Sequence, residues 1–267
     1  MIELVGPRSV PASATANLMQ PQWYEALGRP ELFCMGPTDT VWQRMTPKTD
    51  GSYDSVALAW DILSPGGSLS FASANHLLQA CEQFANGVNR RAMPMPEPKQ
   101  IDRVAKALAQ VREQLDIGVS LMALPEAGFV SERDLWIACA RLGLQFSGNG
   151  AFVWAGDPHP NPMFSVTPIG DVETFSLGAV QAGKTHEGIT VGFSLPLCPG
   201  PAAALDGALR AADEIARAIA GNAFDDSARP LTSKIRDELR RDLAQGVSML
   251  EKANLKPGSA AAIKIFG

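Results

Sequence analysis

The residues with the most explicit chemical spacing are Gly178-Ala-Val-Gln-Ala-Gly183-Lys184-Thr185. They satisfy GxxxxGK[ST], the pattern of a loop whose backbone N–H groups cradle phosphates while its lysine reaches the outer ones. That chemistry requires a helix to begin at the lysine, so that unpaired N–H groups and the helix dipole face the anion. The residues that follow, His186-Glu-Gly188-Ile-Thr-Val-Gly192-Phe-Ser-Leu-Pro196, instead alternate apolar and polar and hold two glycines and a proline, the pattern of a strand. A nucleotide-binding switch or enzyme using Gly178 to Thr185 is therefore the alternative reading, not the leading one. His76, His159 and His186 share no ligand spacing, so no metal site is assigned. No G-x-S-x-G nucleophile turn occurs. Asp225 and Asp226 are adjacent, so on a strand they point to opposite sides and do not share a proton. One of them is expected to turn the chain before Arg229-Pro230-Leu-Thr232. No catalytic residue and no cofactor is assigned, and the chain is not read as an enzyme.

The totals agree with a binding protein better than with a polyanion reader. The 267 residues are 46% hydrophobic and 19% charged, with a formal net charge of -5. That is globular composition with no basic field for nucleic acid or an anionic membrane surface. Cys34, Cys81, Cys139 and Cys198 are widely spaced with no CxxC pair, as suits buried thiols in the reducing cytoplasm. No stretch approaches the ~18 uncharged apolar residues needed to span a bilayer.

The elements that would position any site come in two similar series. Gly188 to Leu195 reads as a strand, followed by a Pro/Gly break at 196–201 and a helix with Leu205, Leu209, Ala212, Ile215 and Ile219 on one stripe. Asn222 to Asp226 comes next, then a second helix opening at Thr232 with Ile235, Leu239, Leu243 and Val247. Residues 55–112 repeat that order: a strand from Val56, the break Ser64-Pro-Gly-Gly67, a helix, a Pro-rich joint and a helix through Ile101, Val104 and Leu108. Ahead of this, Ile2 to Val5 reads as a strand and Ala16 to Leu27 as a helix stopped by Gly28. Glu31 to Met35 and Thr40 to Met45 read as strands, with an Asp50-Gly51 turn after them. The second series starts near Ile117. Ser131 and Asp134 form a capping box, and Gly143 ends the helix. Gly143-Leu-Gln-Phe146 matches the place of Glu31-Leu-Phe33, and one more strand or a longer hairpin is expected within 155–187. Ala260 to Phe266 reads as an edge strand or a frayed end. Both helices have one apolar side and the strand at 189 alternates with period two, so the helices stack on one face and leave the other bare. The fold class is α+β: two tandem ferredoxin-like (split β-α-β) domains, 1–113 and 114–267, each an antiparallel sheet with helices on one face.

The collinear pieces Gly143-Leu-Gln-Phe146, Phe164-Ser-Val to Thr174-Phe175, Gly188-Ile-Thr-Val to Pro196, Ala212-Asp-Glu-Ile215 and Phe224-Asp-Asp-x-x-Arg229-x-Leu-Thr232 resemble the C-terminal domain family of the bacterial cell-division protein ZipA. The resemblance covers about 117–250, and it reaches the first series only through the internal repeat. It implies a split β-α-β sheet whose open face binds the C-terminal tail of FtsZ, the tubulin-like ring protein, without catalysis. Carried over by position, the peptide-binding residues are Ile117, Val119, Ala151, Ile169, Thr190 and Gly192. The family places an aromatic side chain where this chain has Gly192 and larger apolar groups near Ala151, so part of the groove's contact area is missing here. The family also carries an N-terminal transmembrane helix and a Pro/Gln-rich linker, a composition found nowhere in this sequence.

The expected role is a cell-division adaptor in septal ring assembly. Its expected partner is the FtsZ tail, with other division proteins as further partners and nucleic acid as none. Its expected place is the cytoplasm, or the cytoplasmic face of the inner membrane at the division site if an anchor precedes Met1. Two roles are open to the first domain: a second binding copy for a multivalent polymer, or a degenerate copy that only packs. An RNA-binding module of the same topology would need stacking aromatics and basic groups on its central strands, and Thr190, Gly192 and Ser194 are neither.

Overall fold

The computed structural model describes residues 1–6, 9–46, 52–64, 67–126, 128–155, 159–171 and 173–267. The Asp50-Gly51 turn and the Pro65-Gly66 step lie outside them. The chain divides into two compact units, Met1–Gln110 and Val111–Gly267.

In the first unit the labelled strands are β1 (Ile2–Val5), β2 (Glu31–Met35), β3 (Gln43–Arg44) and β4 (Ser55–Ala59). Helix α1 (Phe71–Gly87), strand β5 (Arg91–Pro94) and helix α2 (Pro98–Leu115) follow, and the unit boundary falls inside α2. The sheet order is β3-β2-β4-β1-β5, antiparallel throughout. Residues expected to form one helix from Ala16 to Leu27 are split into a 3-10 turn at Ala16–Met19 and a helix at Pro21–Ala26. Pro21 has no N–H to continue an earlier helix, but it suits a first turn. Ile2, Leu4, Leu32, Cys34, Val56 and Leu58 point to one side of this sheet, and with Leu77, Cys81 and Ala85 of α1 they make its core.

The second unit contains β6 (Gly118–Pro125), α3 (Glu132–Arg141), β7 (Gln145–Phe146), β8 (Phe152–Trp154) and β9 (Phe164–Ile169). It continues with α4 (Leu177–Gln181), β10 (Gly188–Ser194), α5 (Pro201–Ala218), β11 (Gly221–Asp225), α6 (Ser233–Lys252) and α7 (Ala260–Phe266). Its sheet runs β7-β8-β9-β10-β6-β11, again antiparallel. Within both sheets four strands share one order: β2-β4-β1-β5 in the first and β9-β10-β6-β11 in the second. In each, a helix (α1 or α5) crosses from the third of these strands in sequence to the fourth, over the first, which is the split β-α-β arrangement. Hence β2 occupies the place of β9, not that of Gln145–Phe146, which forms the outermost strand β7. The sequence pairing of Gly143–Phe146 with Glu31–Phe33 is off by that much.

Local chemistry accounts for the helix starts. Ser131 accepts the N–H of Asp134 at 3.1 Å and donates to its carboxylate at 2.6 Å; Thr232 accepts the N–H of Ile235 at 3.4 Å. Of the two segments weighed for a further strand within 155–187, Phe164–Ile169 is the strand β9, whereas Ser176 accepts the N–H of Ala179 and opens α4, so Thr174 to Ser176 leads into a helix. Ser259 likewise caps α7, so Ala260–Phe266 is a helix, not an edge strand.

Alanines 204, 208, 211 and 212 with Leu205, Leu209 and Ile215 form the buried stripe of α5, which packs across β6, β10 and β11. Leu121, Ala123, Ile189 and Val191, all wholly buried, meet it from the sheet. Gly207 interrupts α5 because the Trp154 indole lies against its backbone: a Cβ there would stand 2.5 Å from Trp154 Cζ3. We predict that Gly207→Ala destabilises the protein by about 2 kcal/mol although alanine is the better helix former, the overpacking outweighing a propensity gain of about 1 kcal/mol. In a Trp154→Ala background the cost of the same change shrinks, with the Phe164 ring, 3.0 Å from that Cβ, as the remaining close neighbour, as urea unfolding of the four proteins in that cycle will show.

Candidate functional site: a helix-free sheet face

Register fixes which side chains share the side of the second sheet away from α5. Ser165, Gly192 and Ser120 form one row across β9, β10 and β6; Thr167, Thr190, Met122 and Phe224 form the next, extending to β11; Ile169, Gly188 and Leu124 form a third, ending at Asn222. Burial alternates along these strands. Val166, Ile189, Val191, Leu121 and Ala123 are buried inward, while Ser165, Thr167, Ile169, Thr190, Ser120, Met122, Leu124 and Phe224 are half-buried on the opposite side. None of the side chains in these rows is charged. The result is a surface that is small and polar around Ser165, Gly192 and Ser120 and apolar at Met122, Leu124, Phe224 and Ile169.

Of the six positions carried over from the resemblance, three come together here: Ile169, Thr190 and Gly192. Ile117 and Val119 lie on the other side of β6, in phase with Leu121 and Ala123, and pack against the core. Ile117 meets α6, where a Cβ on Gly246 would lie 3.2 Å from it. Ala151 is buried in the turn ahead of β8, its carbonyl taken by the Ser147 N–H and hydroxyl, both at 2.8 Å. Gly192 is confined by backbone, since a Cβ would stand 2.9 Å from the Val119 carbonyl oxygen.

Met122, Leu124 and Phe224 were missed in the sequence. For β6 a signal existed: Val119, Leu121 and Ala123 alternate with Ser120, Met122 and Leu124, so both phases are largely apolar and only pairing chooses between them.

The edges of this sheet are closed or short. Along the outer side of β11 the chain returns as residues 229–231: the Asp225 N–H donates to the Arg229 carbonyl and the Leu231 N–H to the Ala223 carbonyl, both at 3.0 Å. The wholly buried Asp225 carboxylate clamps that return. It accepts from the N–H groups of Ser227 (3.1 Å) and Arg229 (2.7 Å) and from the Arg229 guanidinium (2.7 Å). Burial opposes its ionisation, but the two N–H bonds, the guanidinium and its charge outweigh that and hold its pKa below the ordinary 3.8. At the opposite edge β7 is two residues long.

The segment from Ile169 to Gly188, which joins two strands of the face, is pinned by one residue that sequence reasoning did not reach. Glu132, fully buried, accepts the N–H of Ser176 at 2.6 Å and the indole N–H of Trp136 at 3.3 Å, and its second oxygen lies 3.0 Å from His186 Nε2. An acidic residue in a first turn reads as ordinary dipole complementation. Nothing local marks Glu132 as buried.

The GxxxxGKT run does not form a phosphate loop. Helix α4 precedes Lys184 instead of starting at it, and Thr185–His186 pairs as a short strand with Val130–Ser131. Burial pushes the Cys139 thiol up to about 12, which leaves no thiolate there at neutral pH. Among the described residues, no three His, Cys, Asp or Glu side chains are grouped as metal ligands.

Fold and face together define an α+β domain of the split β-α-β class, its sheet contacted by α5 on one side. Residues 116–242 match the family model of ZipA, C-terminal FtsZ-binding domain, a segment just under half of the chain and wholly within the second unit. The resemblance read from Phe164 to Leu239 is borne out by that match. No curated protein matches the chain. Among the described residues no helix is long and apolar enough to cross a membrane.

Two outcomes are expected from the polar pins. Glu132→Leu strands the Ser176 N–H and His186 without a partner and costs about 3 kcal/mol in urea unfolding. Asp225, with its folded pKa depressed, contributes stability that is fully present above 3.8 and is lost as pH falls through the lower folded value. Denaturant midpoints therefore drop on acidification below about pH 4, and Asp225→Asn lowers the neutral-pH midpoint while flattening that drop.

Proposed function

We propose that this chain is a non-catalytic cell-division adaptor whose second unit captures the C-terminal tail peptide of FtsZ on the helix-free face of its sheet, contributing to septal ring assembly. The observation that carries this reading is the family match over 116–242, to a domain described as FtsZ-binding, on a unit whose sheet presents uncharged and partly apolar side chains on the side away from α5. Met122, Leu124, Phe224 and Ile169 supply the anchors, and Thr190 and Gly192 line the floor beside them. Affinity then comes from buried apolar area and does not require a basic surface, in keeping with the net charge of -5. The proposed setting is the cytoplasm, and the cytoplasmic face of the inner membrane at the division site if an anchor precedes Met1.

The first unit, on this reading, is a divergent copy that has lost the site. The shared strand order supports the copy. Its face differs: Glu3 stands on the central strand β1 between Ala57 and Met93, which puts a carboxylate where the second unit presents uncharged side chains. We place the domain boundary where the sequence suggests it, at 113 and 114.

Titration of the full chain with fluorescein-labelled FtsZ tail peptide tests the reading. Saturable binding is expected, with a loss of about 2 kcal/mol or more in Met122→Asp and in Ile169→Asp. No binding at high micromolar peptide removes the ligand assignment. Nucleotide binding is expected to be undetectable and unchanged by Lys184→Ala.

A further inference from the structure

The two sheets finish their outer edges differently. In the second unit residues 229–231 run beside β11, and Leu231 donates to the Ala223 carbonyl while burying its side chain in the core. In the first unit the strand in that place is β5, and only Met95, Pro96 and Glu97 separate it from α2, too few to double back. Reciprocal bonds between Met1 and Met95, at 3.0 and 2.8 Å, set the alternation of β5 on β1. Met93 and Arg91 bond to β1 in the same phase, so the N–H and C=O of Ala92 point off the edge. Along this edge Phe71, Asn75 and Leu78 of α1 and residues 97–99 at the start of α2 line a groove with residues 91–94 of β5; Ala92 and Pro94 face it from the helix side, and of its charged members Glu97 and Lys99 pair with each other at 2.8 Å. Phe71 is 46% exposed and Met93 50%.

We propose that this groove and the outer edge of β5, unpaired among the described residues, dock a short extended segment of a partner protein that carries a large apolar residue followed by Asp or Glu. The template is the chain's own second unit. A residue placed beside Ala92 as Leu231 is placed beside Ala223 exchanges backbone hydrogen bonds with Ala92 and sends its side chain between Phe71 and Leu78. Running antiparallel, its next residue falls opposite Arg91 on the other face, where side chains of alternate phase point. Arg91 has no acidic partner among the described residues, and a carboxylate there answers its charge. The preceding residue falls opposite Met93 and suits an apolar side chain. Pro94 has no N–H to extend the ladder, which limits the site to a short segment and disfavours edge-to-edge pairing with a second copy. This site lies within the first unit and does not rest on the FtsZ reading.

The test is selection of a phage-displayed random dodecapeptide library on the full chain carrying Ile169→Asp, which removes the second unit's face from competition. The expected result is enrichment of sequences with a large apolar residue followed by Asp or Glu. The synthetic consensus peptide should bind about tenfold more weakly to Phe71→Asp and to Arg91→Glu. Both residues are exposed, and thermal melts of the two variants confirm that they fold. Enrichment lacking the acidic position, or affinity unmoved in both variants, overturns the proposal. A concentration-dependent dimer in sedimentation that Phe71→Asp dissolves also overturns it, assigning the edge to a second copy.

Discussion

Everything in the second unit depends on helix α5 covering one side of its sheet while, among the described residues, the other side is left to the strands' own side chains. Leu121, Ala123, Ile189, Val191 and Val166 are at zero exposure, and the alanines of α5 let the helix axis come close to them. A one-residue slip of β10 against β6 would drive Thr190 and Ser194 into the core and expose Ile189 and Val191, so the register is fixed by burial itself. The same alternation that builds the core also composes the face. The character of that face, small and polar over Gly192 and apolar around Met122 and Phe224, is therefore a by-product of strand pairing and not of any loop.

Two buried carboxylates maintain this arrangement from opposite ends. Asp225 holds the return that closes the β11 edge, and Glu132 holds the segment joining β9 to β10. Each carboxylate is buried yet has its oxygens occupied by N–H donors or a ring nitrogen, the condition under which burial of such a group is tolerated. Neither lies on the face. They determine its outline by fixing the strands on its two flanks.

The sequence displayed the periodic parts well. The strand at 189, the stripes of α5 and α6, and the caps at Ser131 and Thr232 follow from alternation, helical spacing and side-chain acceptors, all local properties. It did not display pairing. Ile117 and Val119 were expected on the face and sit on the core side, because β6 is apolar in both phases and only its neighbours β10 and β11 select one. The same gap explains why Gln145–Phe146 was matched to β2, and why the burial of Glu132, two of whose three partners lie 44 and 54 residues away, was invisible. Short segments misled too: Thr174 to Ser176 and Ala260 to Phe266 have strand-compatible composition, and a single serine hydroxyl in each case makes a helix start.

The clasp at the end of β11 consists of contacts between residues no more than eight positions apart: Asp225 with Ser227 and Arg229, and Leu231 with Ala223. Closing so small a loop takes well under a microsecond, whereas joining β6 to β10 requires bringing together residues some seventy positions apart. When the complete chain refolds, the rim of the last strand is thus shielded before the distant strands have found one another. In the interval when refolding chains are most prone to zip onto their neighbours, this one already withholds that template.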